Sequence, residues 1–121
     1  MYKGRVDQSD VNEVAKYFQK KTDGAYSIKF GVNTVDIYMY MYYHTRNAED
    51  PIQQMNLDIS MTSYDNKIRV NVTEITDLEY TFLHFTVPVK ETDSMEDVRI
   101  KILERIAKGI EREYEDYDVV F

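Results

Sequence analysis

A chain of 121 residues that is 43% hydrophobic and 31% charged, with 4 Gly and 2 Pro, can bury one real core and is too apolar for a disordered segment. Its net charge of −7 repels phosphate backbones and anionic lipid, so neither direct nucleic-acid binding nor a membrane partner is expected. The absence of cysteine excludes disulfides, thiol nucleophiles and Cys-ligated metal sites.

The first residues, Met1 to Arg5, carry positive charge with no apolar run behind it, so a signal peptide is not expected. The longest uninterrupted apolar stretch, Ile37 to Tyr43, is far short of the roughly 20 residues that span a bilayer. A cytoplasmic protein is the expectation, in the host cytoplasm if the chain is phage-encoded.

Charge is unevenly placed. Residues 1–35 carry six bases against four acids, residues 36–92 four against nine, and residues 93–121 five against nine. The densest run is Glu111-Arg112-Glu113-Tyr114-Glu115-Asp116-Tyr117-Asp118. Lys16, Lys20, Lys21 and Lys29, with Lys3 and Arg5, form the one basic grouping, for which a solvated helix face is the ordinary explanation.

In chain order, Asp10 followed by Glu13 reads as a capping box that opens a helix. Val11, Val14, Ala15 and Phe18 then recur on one stripe, flanked by Tyr17, with Lys16 and Lys20 facing water. Gly24 is suited to a left-handed cap after Thr22 and Asp23. The period then changes to two. Tyr26, Ile28 and Phe30 alternate with Ser27 and Lys29, Gly31-Val32-Asn33 turns, and Thr34 to His44 forms a long strand.

After a polar loop from Thr45 to Gln53, Met55, Leu57, Ile59 and Met61 give the cleanest alternation. Tyr64-Asp65-Asn66-Lys67 is a hairpin turn leading to Ile68, Val70 and Val72. Ile75 breaks parity, which marks a bulge or the strand's end. Leu78 to Val87 reads as a fifth strand stopped by Pro88.

A second, longer helix follows, capped by Asp93 with Glu96 or by Ser94 with Asp97. Its apolar arc runs from Met95 through Val98, Ile102, Leu103, Ile106 and Ile110 to Tyr114, with Gly109 as a close approach or a weak point. The whole chain, 1–121, reads as a single α+β domain. Its five-stranded antiparallel, meander-like sheet is flanked by an N-terminal and a longer C-terminal helix, both expected on one face of the sheet. Residues 111–121 are compatible with helix, tail or edge strand.

The anomaly lies in the second strand, whose other face carries Tyr38, Tyr40 and Tyr42 where polar residues belong. The fifth strand is ambiguous, with Tyr80, Phe82 and His84 on one parity and Leu83, Phe85 and Val87 on the other. Tyrosine favours strands and tolerates partial wetting, so a half-exposed aromatic face explains this; so does an interface. Acids at Glu111, Glu113, Glu115, Asp116 and Asp118 oppose a helix dipole and suit either a solubilising end or a nucleic-acid mimic, with Tyr114 and Tyr117 as stacking surface.

Signals of catalysis are sparse. The two histidines, His44 and His84, belong to no metal-spaced set, and no phosphate loop or nucleophile elbow occurs. Asp36 and Asp58, on neighbouring strands and near Lys67 and Arg69, form one conceivable carboxylate pair for a metal or acid–base role. No catalytic residue, cofactor or metal is assigned.

These features favour a small acidic protein-binding protein over an enzyme. The expected form is a phage or mobile-element inhibitor of the anti-defence, anti-CRISPR or nucleic-acid-mimic kind, acting on a host nucleic-acid-binding enzyme. Its partner contacts would be Tyr38, Tyr40, Tyr42, Glu111, Glu113, Glu115, Asp116 and Asp118. A homo-oligomeric assembly protein, as small as a homodimer, and a small metal-dependent enzyme or ligand-binding domain are the alternatives.

Overall fold

The computed structural model describes residues 8–22, 24–45, 51–76, 80–90, 92–114 and 116–120. In chain order these form α1 (Gln8–Thr22), β1 (Ala25–Phe30), β2 (Thr34–Thr45), β3 (Gln53–Tyr64), β4 (Lys67–Glu74), β5 (Tyr80–Pro88), α2 (Met95–Glu113) and β6 (Tyr117–Val120). The expected α+β arrangement stands: β1 to β5 form an antiparallel meander in sequential order, with a helix at either end of it. The sixth strand settles the open question of the last residues. It pairs antiparallel with β2, beside β1, so β2 is flanked on one edge by two different strands.

The core follows from alternation. Val35, Ile37, Met39 and Met41 of β2 face the same side as Leu57, Ile59 and Met61 of β3 and Val70 and Val72 of β4. All are essentially fully buried. Against this face lie the α1 stripe (Val11, Val14, Ala15, Phe18) and the α2 stripe (Val98, Ile102, Leu103, Ile106, Ile110), and all these residues form one apolar cluster. Two helices on one face leave the other face of the sheet with neither helix over it.

Several local expectations change. Asp10 is not an N-cap: Gln8 is already helical, and Asp10 lies buried in the first turn of α1. Gly24 does not take a left-handed conformation. A Cβ there would collide with the carbonyl of Tyr40, whose N–H donates to the Gly24 oxygen at 2.9 Å, so close backbone approach is what requires glycine. The positive φ values fall on Asn33 (63°) and Asp65 (51°), at the β1–β2 and β3–β4 turns.

Ser94 is the N-cap of α2, accepting from the Asp97 N–H at 3.2 Å, while Asp93 accepts from the Lys90 N–H instead. Gly109 permits close approach, since a Cβ there would meet Leu83 of β5. The helix runs through Gly109 without a break to Glu113.

Two bulges re-aim side chains. At the start of β1 the register slips between Ala25 and Ser27, which throws Tyr26 out of the alternation. Between β4 and β5 it slips after Val72, so Phe82 is skipped and packs against the core. The apparent two-sidedness of β5 is therefore resolved: Leu83, Phe85 and Val87 face inward, His84 and Thr86 outward. Ile75 follows the end of β4, and its N–H donates to the Asn56 oxygen at 2.9 Å.

Candidate protein-binding face

The open face is built from the alternate residues of the same strands. Thr34, Asp36, Tyr38, Tyr40 and Tyr42 stand opposite Thr62, Ser60, Asp58, Asn56 and Gln54 of β3. Residues paired across an antiparallel ladder share a face, so these ten side chains form one surface. Tyr38, Tyr40 and Tyr42 are each partly exposed.

Tyr26 joins them through its bulge. Its ring stacks on Tyr40 with centroids 5.1 Å apart and planes 29° apart. Its hydroxyl donates to Asn56 Oδ1 at 2.7 Å. At 52% exposed, it is the most open ring of the group. The Lys29 ammonium sits 5.0 Å from the centre of the Tyr38 ring, a cation–π contact. No spacing in the sequence marked Tyr26, because Tyr26-Ser27-Ile28-Lys29-Phe30 fits unbroken alternation and a bulge has no residue of its own here.

β6 extends this face. Val120 stands opposite Tyr42 and Asp118 opposite His44, so Asp118 shares the tyrosine side while Tyr117 and Val119 turn toward the core. Four of the expected contact residues, Tyr38, Tyr40, Tyr42 and Asp118, thus come together. Asp36 and Asp58 lie on the same face, one diagonal step apart.

The other acids are placed elsewhere. Glu111 accepts a hydrogen bond from the Val119 N–H at 3.1 Å, and Glu113 accepts from the Tyr80 hydroxyl at 3.2 Å, which pushes the Tyr80 pKa up. Asp116 is exposed in the turn before β6. Glu115 lies outside the described residues.

Tyr114 and Tyr117 do not offer a bare stacking surface. Tyr117 stacks between Tyr43 (3.9 Å, 16°) and Tyr114 (4.8 Å, 20°), and Tyr114 meets Phe82 edge-on at 5.9 Å. The Tyr114 hydroxyl donates to Glu74. Burial, then the bond to Glu74 and its charge, hold the Tyr114 hydroxyl well above the ordinary tyrosine range. Burial and the neighbouring Tyr117 push Tyr43 up to about 12.

His44 and His84 are both exposed on separate strands. Among the described residues, no group of three His, Asp or Glu side chains is placed to hold a metal ion. No described helix is long and apolar enough to cross a membrane. No protein-family model matches this chain, and neither does any curated protein or solved structure.

Proposed function

We propose that this chain is a non-enzymatic, acidic protein-binding protein that grips its partner through the open sheet face. The observation that carries the reading is one-sided packing. Both helices lie on one face of the sheet, so Tyr38, Tyr40 and Tyr42, with Tyr26, sit on the side neither helix covers. Tyrosine gives large contact area at small entropic cost, and wide aromatic patches on a lone protein commonly serve as interfaces.

The chemistry of the face favours a cationic partner. Asp36, Asp58 and Asp118 border the rings, while the bases Lys67 and Arg69 of the same face stand two strands away on β4. The placement of Lys29 over Tyr38 is the contact a foreign lysine or arginine would make with the other rings. In the finer form of the proposal, the partner surface is the phosphate-binding groove of a nucleic-acid-binding enzyme. The chain then acts as a stoichiometric inhibitor from a phage or mobile element. Of the acidic run, Asp116 and Asp118 are the described carboxylates best placed for that role, since Glu111 and Glu113 bond within the fold.

The test is capture of a partner from a plausible host lysate at low and high salt, with wild type and a Tyr38→Ser/Tyr40→Ser/Tyr42→Ser variant. The expected outcome is a discrete partner held at low salt, released at high salt and lost by the variant. A folded variant that captures the same partner equally well overturns the tyrosine grip. Unchanged affinity on replacing Asp116 and Asp118 by Asn removes the mimic form. Light scattering of the free chain separates both from self-association.

A further inference from the structure

On the opposite side of the molecule, α1 and α2 leave a cleft of about 710 Å³ between them, within the size range of small-molecule sites. It is lined by Lys16, Lys20, Lys21 and Arg99 together with Tyr17, Glu13 and Glu96. Four cations against two carboxylates make this cleft locally positive on a chain whose net charge is −7. Three of the lysines that the sequence groups together meet here. Lys29 does not, being on the sheet face, and Lys3 and Arg5 lie outside the described residues.

Arg99 is held in place. Its guanidinium lies 5.7 Å from the centre of the Tyr17 ring, and its Nε donates to the Met95 carbonyl at 3.2 Å. Tyr17 in turn meets the fully buried Phe18 edge-on at 6.4 Å. With Nε spent on the backbone, the two terminal nitrogens remain as the planar fork that suits phosphate oxygens. A guanidinium braced in this way loses little freedom on binding, whereas the flexible lysines add charge with little geometry.

We propose that this interhelical cleft binds a small polyanion of the polyphosphate class, with Arg99 as the fixed contact and Lys16, Lys20 and Lys21 as the charge around it. Size decides between a compact ligand and a nucleic-acid strand. A strand runs beyond the cleft onto a surface whose overall charge repels it, whereas a tripolyphosphate stays within about one Debye length (~8 Å) of the four cations.

The experiment is an amide chemical-shift titration of the full chain at low salt with tripolyphosphate, ATP and a short single-stranded oligonucleotide. Saturable shifts confined to residues 13–21 and 95–99 are expected. Arg99→Gln weakens binding about tenfold and each Lys→Gln about threefold, while Lys67→Gln and Arg69→Gln on the far face leave it unchanged. Thermal melts confirm that each variant is folded, and Arg99→Lys, which keeps the charge, recovers part of the loss. ATP and tripolyphosphate binding equally identifies the phosphate chain as the ligand, and tighter ATP binding identifies a nucleotide; both support the site. Non-saturable shifts, shifts spread equally to Lys29, Lys67 and Arg69, or tighter binding of the oligonucleotide overturn it. The proposed tyrosine grip survives that failure, because its residues lie on the other side of the sheet.

Discussion

Single positions show how little slack this packing has. Gly24 and Gly109 both stand where a Cβ would strike a neighbour, yet the neighbours differ in what they can yield. At Gly24 it is the backbone carbonyl of Tyr40, fixed in the ladder; at Gly109 it is the methyl end of Leu83, a half-buried side chain. Gly24→Ala is therefore expected to cost about 3 kcal/mol, the upper range for overpacking. Gly109→Ala recovers about 1 kcal/mol of helix propensity against a steric cost of about 2 kcal/mol, for a net loss of about 1 kcal/mol. Urea unfolding midpoints of the two variants check the order.

The buried hydroxyl of Tyr43 makes a pH prediction. Its folded pKa of about 12 lies above the unfolded value of 10.0, so the unfolded chain releases the proton first as pH rises. The stability tied to the neutral phenol is intact below pH 10 and is lost between pH 10 and about 12. Tyr43→Phe should flatten the decline in thermal midpoint across that window. In a spectrophotometric titration of the eleven tyrosines, the same substitution should remove one from the late-ionising fraction.

Among the elements, β6 has four residues and depends on more than its ladder to stay in place. Its first ring, Tyr117, fills the slot between Tyr43 and Tyr114, and the Glu111 carboxylate fastens the Val119 N–H. Two aromatic contacts at about 0.5–1.5 kcal/mol each, with the lost burial, give an expected cost of about 2–3 kcal/mol for Tyr117→Ala. Tyr117→Phe, which keeps both stacks, should lose under about 1 kcal/mol. Thermal unfolding of the pair measures the difference.

This element also shows where sequence reading runs out. Tyr117-Asp118-Val119-Val120 has the composition of a strand, but nothing local names β2 as its partner. The acids at Glu111 and Glu113 read as bare charges until the Val119 amide and the Tyr80 hydroxyl are placed beside them. The bulges are equally silent: Tyr26 and Phe82 each fit regular alternation, and only the cross-strand register displaces them. By contrast, the buried stripes of α1, α2, β3 and β4 were legible at once, because a strong period along a long segment leaves one face to bury.

For the molecule as a whole, the sequence carried the class, the element order as far as α2 and the anomaly of Tyr38, Tyr40 and Tyr42, since these follow from periodicity. It did not carry the division of surfaces, which depends on which face of the sheet the two helices cover. That choice separates an aromatic sheet face from a basic cleft, and it scatters the acidic run: Asp118 to the sheet face, Glu111 and Glu113 to internal bonds. With Asp116 exposed in the turn before β6, charge that looks like one stripe in the chain is distributed over three environments.

The seating of β6 against Tyr42 to Thr45 also shapes how the fold is reached. β3 and β4 join through a two-residue turn, whereas β2 and β6 meet across roughly 70 residues, an excess loop-closure cost of roughly 3 kcal/mol. The meander can form while that pairing waits. Refolding should therefore acquire sheet signal first and the shielded environment of Tyr43 last. Amide protons of residues 117–120 should exchange with deuterium ahead of those in β3, making the final strand a clasp that closes late and opens first.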